Sequence, residues 1–200
     1  MRTAWPSARQ SSVTADLALG FRVHSGWAAM VAVAGSTLAP EVLLRRRIEF
    51  ADFLNHDTVQ PYHAAAEMTL QQAEKFLVRS AAMTRELAQK PIRQAIEELR
   101  PRRVAIAGMT LSSGRPAGSL EATLASHLAI HTAEGEYFRT AVRGACEDCG
   151  LVCHGVKEKE LAADVVKIVD IGKLLGPPWG QDQKFASLAA WLALVEKKQR

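Results

Sequence analysis

No stretch of this sequence is apolar for long enough to cross a membrane: the longest, Trp27 to Gly35, has about half of the roughly 20 residues that a spanning helix needs. The opening MRTAWPSARQSSVTA also lacks the apolar centre of a secretory signal. The expectation is a soluble, cytoplasmic protein with no membrane partner. Cysteine is scarce too. Its three residues lie between Cys146 and Cys153, an odd number closely clustered, which excludes a secreted disulfide framework and fits a reducing compartment. Nor is charge of one sign in large excess: 25 Lys and Arg stand against 21 Asp and Glu, and a net charge of +4 does not by itself define a nucleic-acid surface. Aromatic residues are only 6% of the chain, and none is interleaved with the basic clusters RRR (Arg45 to Arg47) and RPRR (Arg100 to Arg103) to stack on bases.

What is present is core material. With 48% hydrophobic residues, 200 positions can bury the core of one α/β domain. Residues 1–14 are polar, small and aperiodic and read as a flexible extension, leaving a single domain over 15–200. DLALGFRV and GWAAMVAVAG are short apolar runs joined at His24-Ser25-Gly26, where glycine can take the positive φ of a hairpin loop. EVLLRRRIEF is a third strand, and three consecutive arginines place it at a sheet edge.

Helical spacing begins after Pro61. Leu70, Ala73, Phe76, Leu77, Ser80, Ala81, Thr84, Leu87 and Ala88 recur at three and four, and Ile92, Ile96 and Leu99 continue the stripe beyond Pro91, which is expected to kink or divide the helix. RRVAIAGMT has the nearly unbroken apolar character of a central parallel strand. A long second helix is predicted from Ser119 as N-cap, with Glu121 in its first turn and a seam through Leu124, Leu128, His131, Gly135, Phe138, Val142, Ala145 and Cys149. LVCHGV is a fifth strand, KELAADVVKIVDIGKLLG one or two short helices, and QDQKFASLAAWLALVEKK the closing helix with Phe185, Leu188, Ala189, Leu192 and Val195 inward.

This order, β-β-β-α-β-α-β-α, resembles the ribonuclease H-like fold, an α/β architecture in which helices cover both faces of a mixed five-stranded sheet. LGFRVHSGWAAMVAV and KFASLAAWLALV are similar to the opening hairpin and closing helix of its Holliday-junction resolvase branch. The resemblance implies three or four carboxylates around two divalent ions, which activate water and stabilise the leaving oxygen. It requires an acid near Phe21 or Arg22 and another near Gly108 or Met109. The sequence has arginine at the first place and no acid at the second; Asp182 alone corresponds loosely.

Other constellations of chemically active residues are present. His127, His131 and Glu134 project from one side of a helix at i, i+4 and i+7, a spacing that suits a zinc-type ion, against the commoner reading of His131 as a hydrogen-bonded core residue. Cys146, Cys149, Cys153 and His154 have the types of a metal knot, but their periodicity fits small buried hydrophobes. No residue is assigned to a metal, and the sequence identifies no cofactor. In GPPWGQDQK, Trp179 and Lys184 flank a helix start that suits an anion, and Ser112, Ser113 and Arg115 of LSSGRP could add donors to the same cleft. The sequence is compatible with three functions. The first is a non-catalytic binding or scaffold protein for a nucleic acid or a protein partner, including a homodimer. The second is an enzyme rebuilt around Arg22, His24, His131, Glu134 and Asp182 that acts on an anionic or phosphorylated substrate. The last in order is a two-metal nuclease.

Overall fold

The computed structural model describes residues 16–35, 40–112, 114, 118–161 and 176–199. Its first three strands, β1 (Leu17–His24), β2 (Trp27–Gly35) and β3 (Pro40–Glu49), are antiparallel neighbours. Ser25 and Gly26 make the first turn, and Gly26 has φ +78, a value that side-chain-bearing residues seldom adopt. β4 (Val104–Leu111) pairs parallel to β1, and β5 (Cys153–Lys157) parallel to β4. The sheet order is β3-β2-β1-β4-β5, so the arginine-bearing strand is at an edge, as its charge requires. Two short helices, α1 (His56–Val59) and α2 (Pro61–Ala66), fill a connection that no periodic pattern marks. The expected extension over residues 1–14 lies outside the described residues.

Strand side chains alternate between faces, which sorts β1 into two sets. Leu17, Leu19 and Phe21 join Met30, Phe50, Ile92, Phe138 and Val142 beneath α3 (Leu70–Glu98) and α5 (His127–Asp148). Each such side chain stabilises the fold by ~1.5–3 kcal/mol when fully buried. Ala18, Val31, Val33 and Ile106 face the other way, against Ala186, Ala190, Ala193 and Leu194 of α7 (Gln181–Gln199). The mixed five-stranded sheet is thus covered by helices on both faces.

Helix α7 lies unusually close to the sheet. Gly20 and Gly108 are register partners on β1 and β4, and a Cβ on either would overlap a backbone carbonyl of α7, Ala186 in one case and Ala189 in the other. Alanines on the helix and glycines on the strands bring the two backbones together. The residues facing the sheet are consequently the small ones, and Leu192 and Val195, expected inward, are only half-buried.

Two helices depart from their periodic reading. α3 runs undivided through Pro91. The carbonyl that loses its N–H partner belongs to Leu87, which is half exposed, so water can take that role. Leu87 and Leu70 are therefore not core residues. The helix predicted from Ser119 breaks at Ala125 into α4 (Leu120–Leu124) and α5, because Ser126 is a second N-cap whose oxygen accepts from the Ala129 N–H at 3.4 Å. The break shifts the buried seam to Ile130, Ala133, Glu134, Tyr137, Phe138, Ala141, Val142 and Ala145, and leaves Leu128 and His131 exposed.

The β3 arginines have structural employment. Arg45 donates from Nη1 to the carbonyls of Gly176 (2.7 Å) and Pro178 (2.6 Å) and from Nη2 to that of Pro177 (3.1 Å), tying the proline turn before α7 to the sheet edge. Arg47 lies 3.9 Å over the Trp27 ring. Replacing Arg45 by Met should remove about 1.5 kcal/mol of stability and lower Tm by roughly 4 °C. Scanning calorimetry checks this, and an unchanged Tm would show that the turn holds without the clamp.

Candidate functional site

The carboxyl-terminal ends of parallel strands are where α/β sheets place their chemistry, and here Arg22 occupies the end of β1. Alternation points it, with Gly20 and His24, toward α7. Its Nε donates to Glu158 Oε1 at 2.9 Å, its Nη2 to Glu158 Oε2 at 3.3 Å, and its Nη1 to Asp182 Oδ1 at 2.6 Å. His24 Nε2 meets the same Asp182 oxygen at 2.9 Å, while the His24 ring stacks on Trp27 at 4.2 Å. Phe185 lies 5.0 Å below the guanidinium. Only 15% of the Arg22 side chain is exposed. Burial works against its charge, yet the hydrogen bonds and charges of Glu158 and Asp182 prevail and raise its pKa above the ordinary arginine value. Glu158 opens the short helix α6 (Glu158–Leu161) directly after β5, so three elements distant in sequence converge on one guanidinium.

His131 and Glu134 are elsewhere. They belong to α5, across the sheet from α7, so the five residues Arg22, His24, His131, Glu134 and Asp182 do not form one site: β-strand alternation sends the first two away from the helix that carries the next two. Glu134, 3% exposed, accepts from the backbone N–H groups of Tyr62 (3.2 Å) and His63 (3.3 Å), and its Oε1 lies 3.0 Å from His63 Nδ1. These contacts compensate a carboxylate that burial alone would penalise. They also bring His63 of α2 against His127 and His131, with ring centroids 5.6 and 4.8 Å away, while the latter two are 4.4 Å apart.

On that same side, a cleft of about 780 Å³ opens between α3, α5 and the exit of β4, lined among others by Tyr62, Arg85, Ser112, Tyr137, Arg139 and Arg143. Arg139 Nη2 donates to Ser112 Oγ at 3.0 Å and its Nε to Glu136 at 3.1 Å. Arg85 forks onto Asp148 with two bonds of 2.7 Å. The Tyr137 hydroxyl sits between Ser80 (2.8 Å) and Thr84 (2.9 Å), and burial lifts its pKa despite them.

Ser112 is therefore an arginine partner on the α5 side of the sheet, and it does not share a cleft with the turn before α7. Ser113 and Arg115 lie outside the described residues. Trp179 packs on the apolar side of α7, and Lys184 is half-buried in that helix's first turn. At the helix start read as suiting an anion, the Gly180 N–H donates to Gln183 Oε1 at 2.8 Å. The cysteines are free: Cys146 is buried in the main core, and its hydrogen bond with Cys153, together with burial, holds its thiol well above the usual pKa. His154 turns to the other face, 3.0 Å from Glu196 of α7, so adjacent residues of β5 cannot close a common metal knot.

Glu158, His63 and Arg139 were not among the residues expected from sequence. Glu158 carries a usable signal, since it directly follows a parallel strand. His63 carries none, because it sits in an aperiodic connection.

Sheet order, strand directions and the helices on both faces define a ribonuclease H-like α/β fold. The chain is similar in structure to Thermus thermophilus RuvC in complex with Holliday junction substrate, with 10% sequence identity, a TM-score of 0.54, and coverage of 92% of this chain and 96% of that one. It is likewise similar to the Thermus thermophilus RuvC structure, at 10% identity, TM-score 0.51 and the same coverage. At that identity the likeness is one of fold. No protein-family model matches the sequence, and no curated protein matches it.

Proposed function

We propose that this chain is a non-catalytic binding protein on a ribonuclease H-like scaffold, and that its partner is a nucleic acid. The Arg22 cluster carries the reading. Two-metal phosphoryl chemistry needs several carboxylates available to cations. Here the β1 position is itself a cation that engages both neighbouring carboxylates, Glu158 and Asp182, and the β4 position is Gly108, covered by α7. The nucleic-acid partner is supported by the fold, by the similar chain described in complex with a Holliday junction substrate, and by the net charge of +4. An enzyme with a single site from Arg22, His131 and Glu134 is not proposed, because the sheet separates those residues.

Fluorescence anisotropy with a labelled four-way junction and a labelled single strand tests the partner. Between about 50 and about 200 mM salt, affinity should fall roughly 10–100-fold, as release of counterions from a few phosphates requires. No binding at the lower salt would overturn the nucleic-acid reading in favour of a protein partner or a homodimer, which sedimentation would register.

A further inference from the structure

We propose that His63, His127 and His131 bind one divalent transition-metal ion of the zinc type, and that Glu134 is the positioning carboxylate of that site. Among the described residues, these histidines form a cluster in which one ring nitrogen from each lies within 4.8 Å of the others. Three imidazoles around a tetrahedral ion bring their nitrogens to about 3.4 Å from one another, given metal–nitrogen bonds of about 2.0–2.1 Å. Small ring rotations cover the difference, and the exposed His127 and His131 are able to make them.

The chain builds this arrangement from independent parts. The α5 N-cap at Ser126 starts the helix one residue before His127, so His127 and His131 stand one turn apart on its exposed first turns. His63 comes from α2, which Glu134 fixes by accepting its Tyr62 and His63 N–H groups. The same oxygen faces His63 Nδ1 at 3.0 Å. That contact is not aligned as a hydrogen bond and leaves Nδ1 a buried nitrogen without a hydrogen-bond partner, so Glu134 positions His63 through the backbone N–H groups. A small ring rotation that engaged the carboxylate would leave the other ring nitrogen for a metal, the arrangement that supports metal-bound histidines generally.

Donor chemistry selects the ion. Three neutral nitrogens suit zinc, cobalt, nickel or copper, whereas magnesium and calcium require oxygen ligands. Solvent reaches His127 and His131, so the fourth coordination position is left to water or a small ligand. Tyr62 and Thr132, the chain neighbours of His63 and His131, line the α3–α5 cleft, so the ion would lie beside it.

Protein produced without a histidine tag, stripped with chelator and titrated with Co(II) tests the proposal. The expected result is one equivalent bound, with the visible absorption of a four-coordinate nitrogen site, displaced by Zn(II) and unaffected by excess Mg(II). His127→Ala and His131→Ala, exposed substitutions that leave the fold intact by circular dichroism, should each weaken binding at least about 100-fold. Glu134→Gln should weaken it by about 10–100-fold while keeping the absorption pattern, the signature of a group acting through His63. Cys149→Ser should change nothing. Binding below stoichiometry, or unchanged in both histidine variants, overturns the site; unchanged binding in a folded Glu134→Gln overturns the positioning role.

Discussion

Arg22→Asp should convert the end of β1 from an ion-pair cluster into a cation-binding one. With the guanidinium gone, three carboxylates, two of them Glu158 and Asp182, converge where one cation had satisfied two. Removing one partner of a fully buried pair costs about 3–5 kcal/mol, but Glu158 is about one-third exposed and solvent screens it, so about 2–3 kcal/mol is expected here. That corresponds to a fall in Tm of roughly 6 °C without divalent ions. Mg(II) at about 10 mM should then recover about 1.4 kcal/mol if it binds the native variant with Kd near 1 mM. Wild-type protein, whose carboxylates already hold Arg22, should show no Mg(II)-dependent shift. Thermal melts with and without Mg(II) measure both effects, and Arg22→Ala separates loss of the cation from gain of the third carboxylate. An equal response of wild type and Arg22→Asp would mean that Asp182 and Glu158 are not engaged as the structure places them.

Gly108→Ala should be at least as damaging although it adds one methyl group. That methyl would meet the backbone carbonyl of Ala189, and neither the central strand β4 nor the helix offers a side chain that could turn aside. Overpacking against rigid backbone costs about 3 kcal/mol, or roughly 9 °C in Tm for a chain of this size. Gly20→Ala should behave alike because of Ala186, whereas Gly118→Ala, with only Ala122 Cβ nearby at 3.8 Å, should be neutral within about 0.5 kcal/mol. Urea denaturation distinguishes these outcomes, and a loss below 1 kcal/mol at Gly108 would show that α7 can lift from the sheet. A larger side chain at this position faces the same obstruction. An acid at residue 108 cannot be accommodated with α7 in place, so Arg22→Asp alone does not restore the constellation that the fold's usual chemistry uses.

These two positions also show where sequence is informative. The β1–β2 hairpin is legible because its signals are local: an apolar run, a glycine that must take positive φ, and a second apolar run. The edge position of β3 follows from three adjacent arginines, and Ser119 caps α4 as its side chain predicts. The partners of Arg22 are not local. Glu158 and Asp182 lie 136 and 160 residues away, and pairing at that distance is fixed by topology. Once the parallel order of β1, β4 and β5 is known, the residue after β5 becomes an evident neighbour, but periodicity alone gives no reason to single it out.

On α5 the difficulty is phase. A serine inside a helical pattern reads equally as an interior residue or a new N-cap, and the structure takes the second course at Ser126. That choice moves His131 from the apolar seam to the surface, whereas Glu134, on the same side of the helix in the sequence reading, is buried. Their shared partner His63 lies 71 residues before Glu134, on a short helix held by that buried carboxylate. Small-residue packing was obscured for a different reason. Hydrophobic periodicity weights large side chains, whereas α7 meets the sheet through Ala186, Ala190 and Ala193, where absence of bulk allows close approach.

In the proposed function, the end of β1 is a satisfied arginine–carboxylate cluster in place of a two-cation centre. The most direct test of that reading is cleavage of labelled four-way junction, duplex and single-stranded substrates by the wild-type protein in millimolar Mg(II) or Mn(II), beside Asp182→Asn. Wild type should yield no more product than Asp182→Asn or buffer. Metal-dependent cleavage by the wild type that Asp182→Asn abolishes would contradict it.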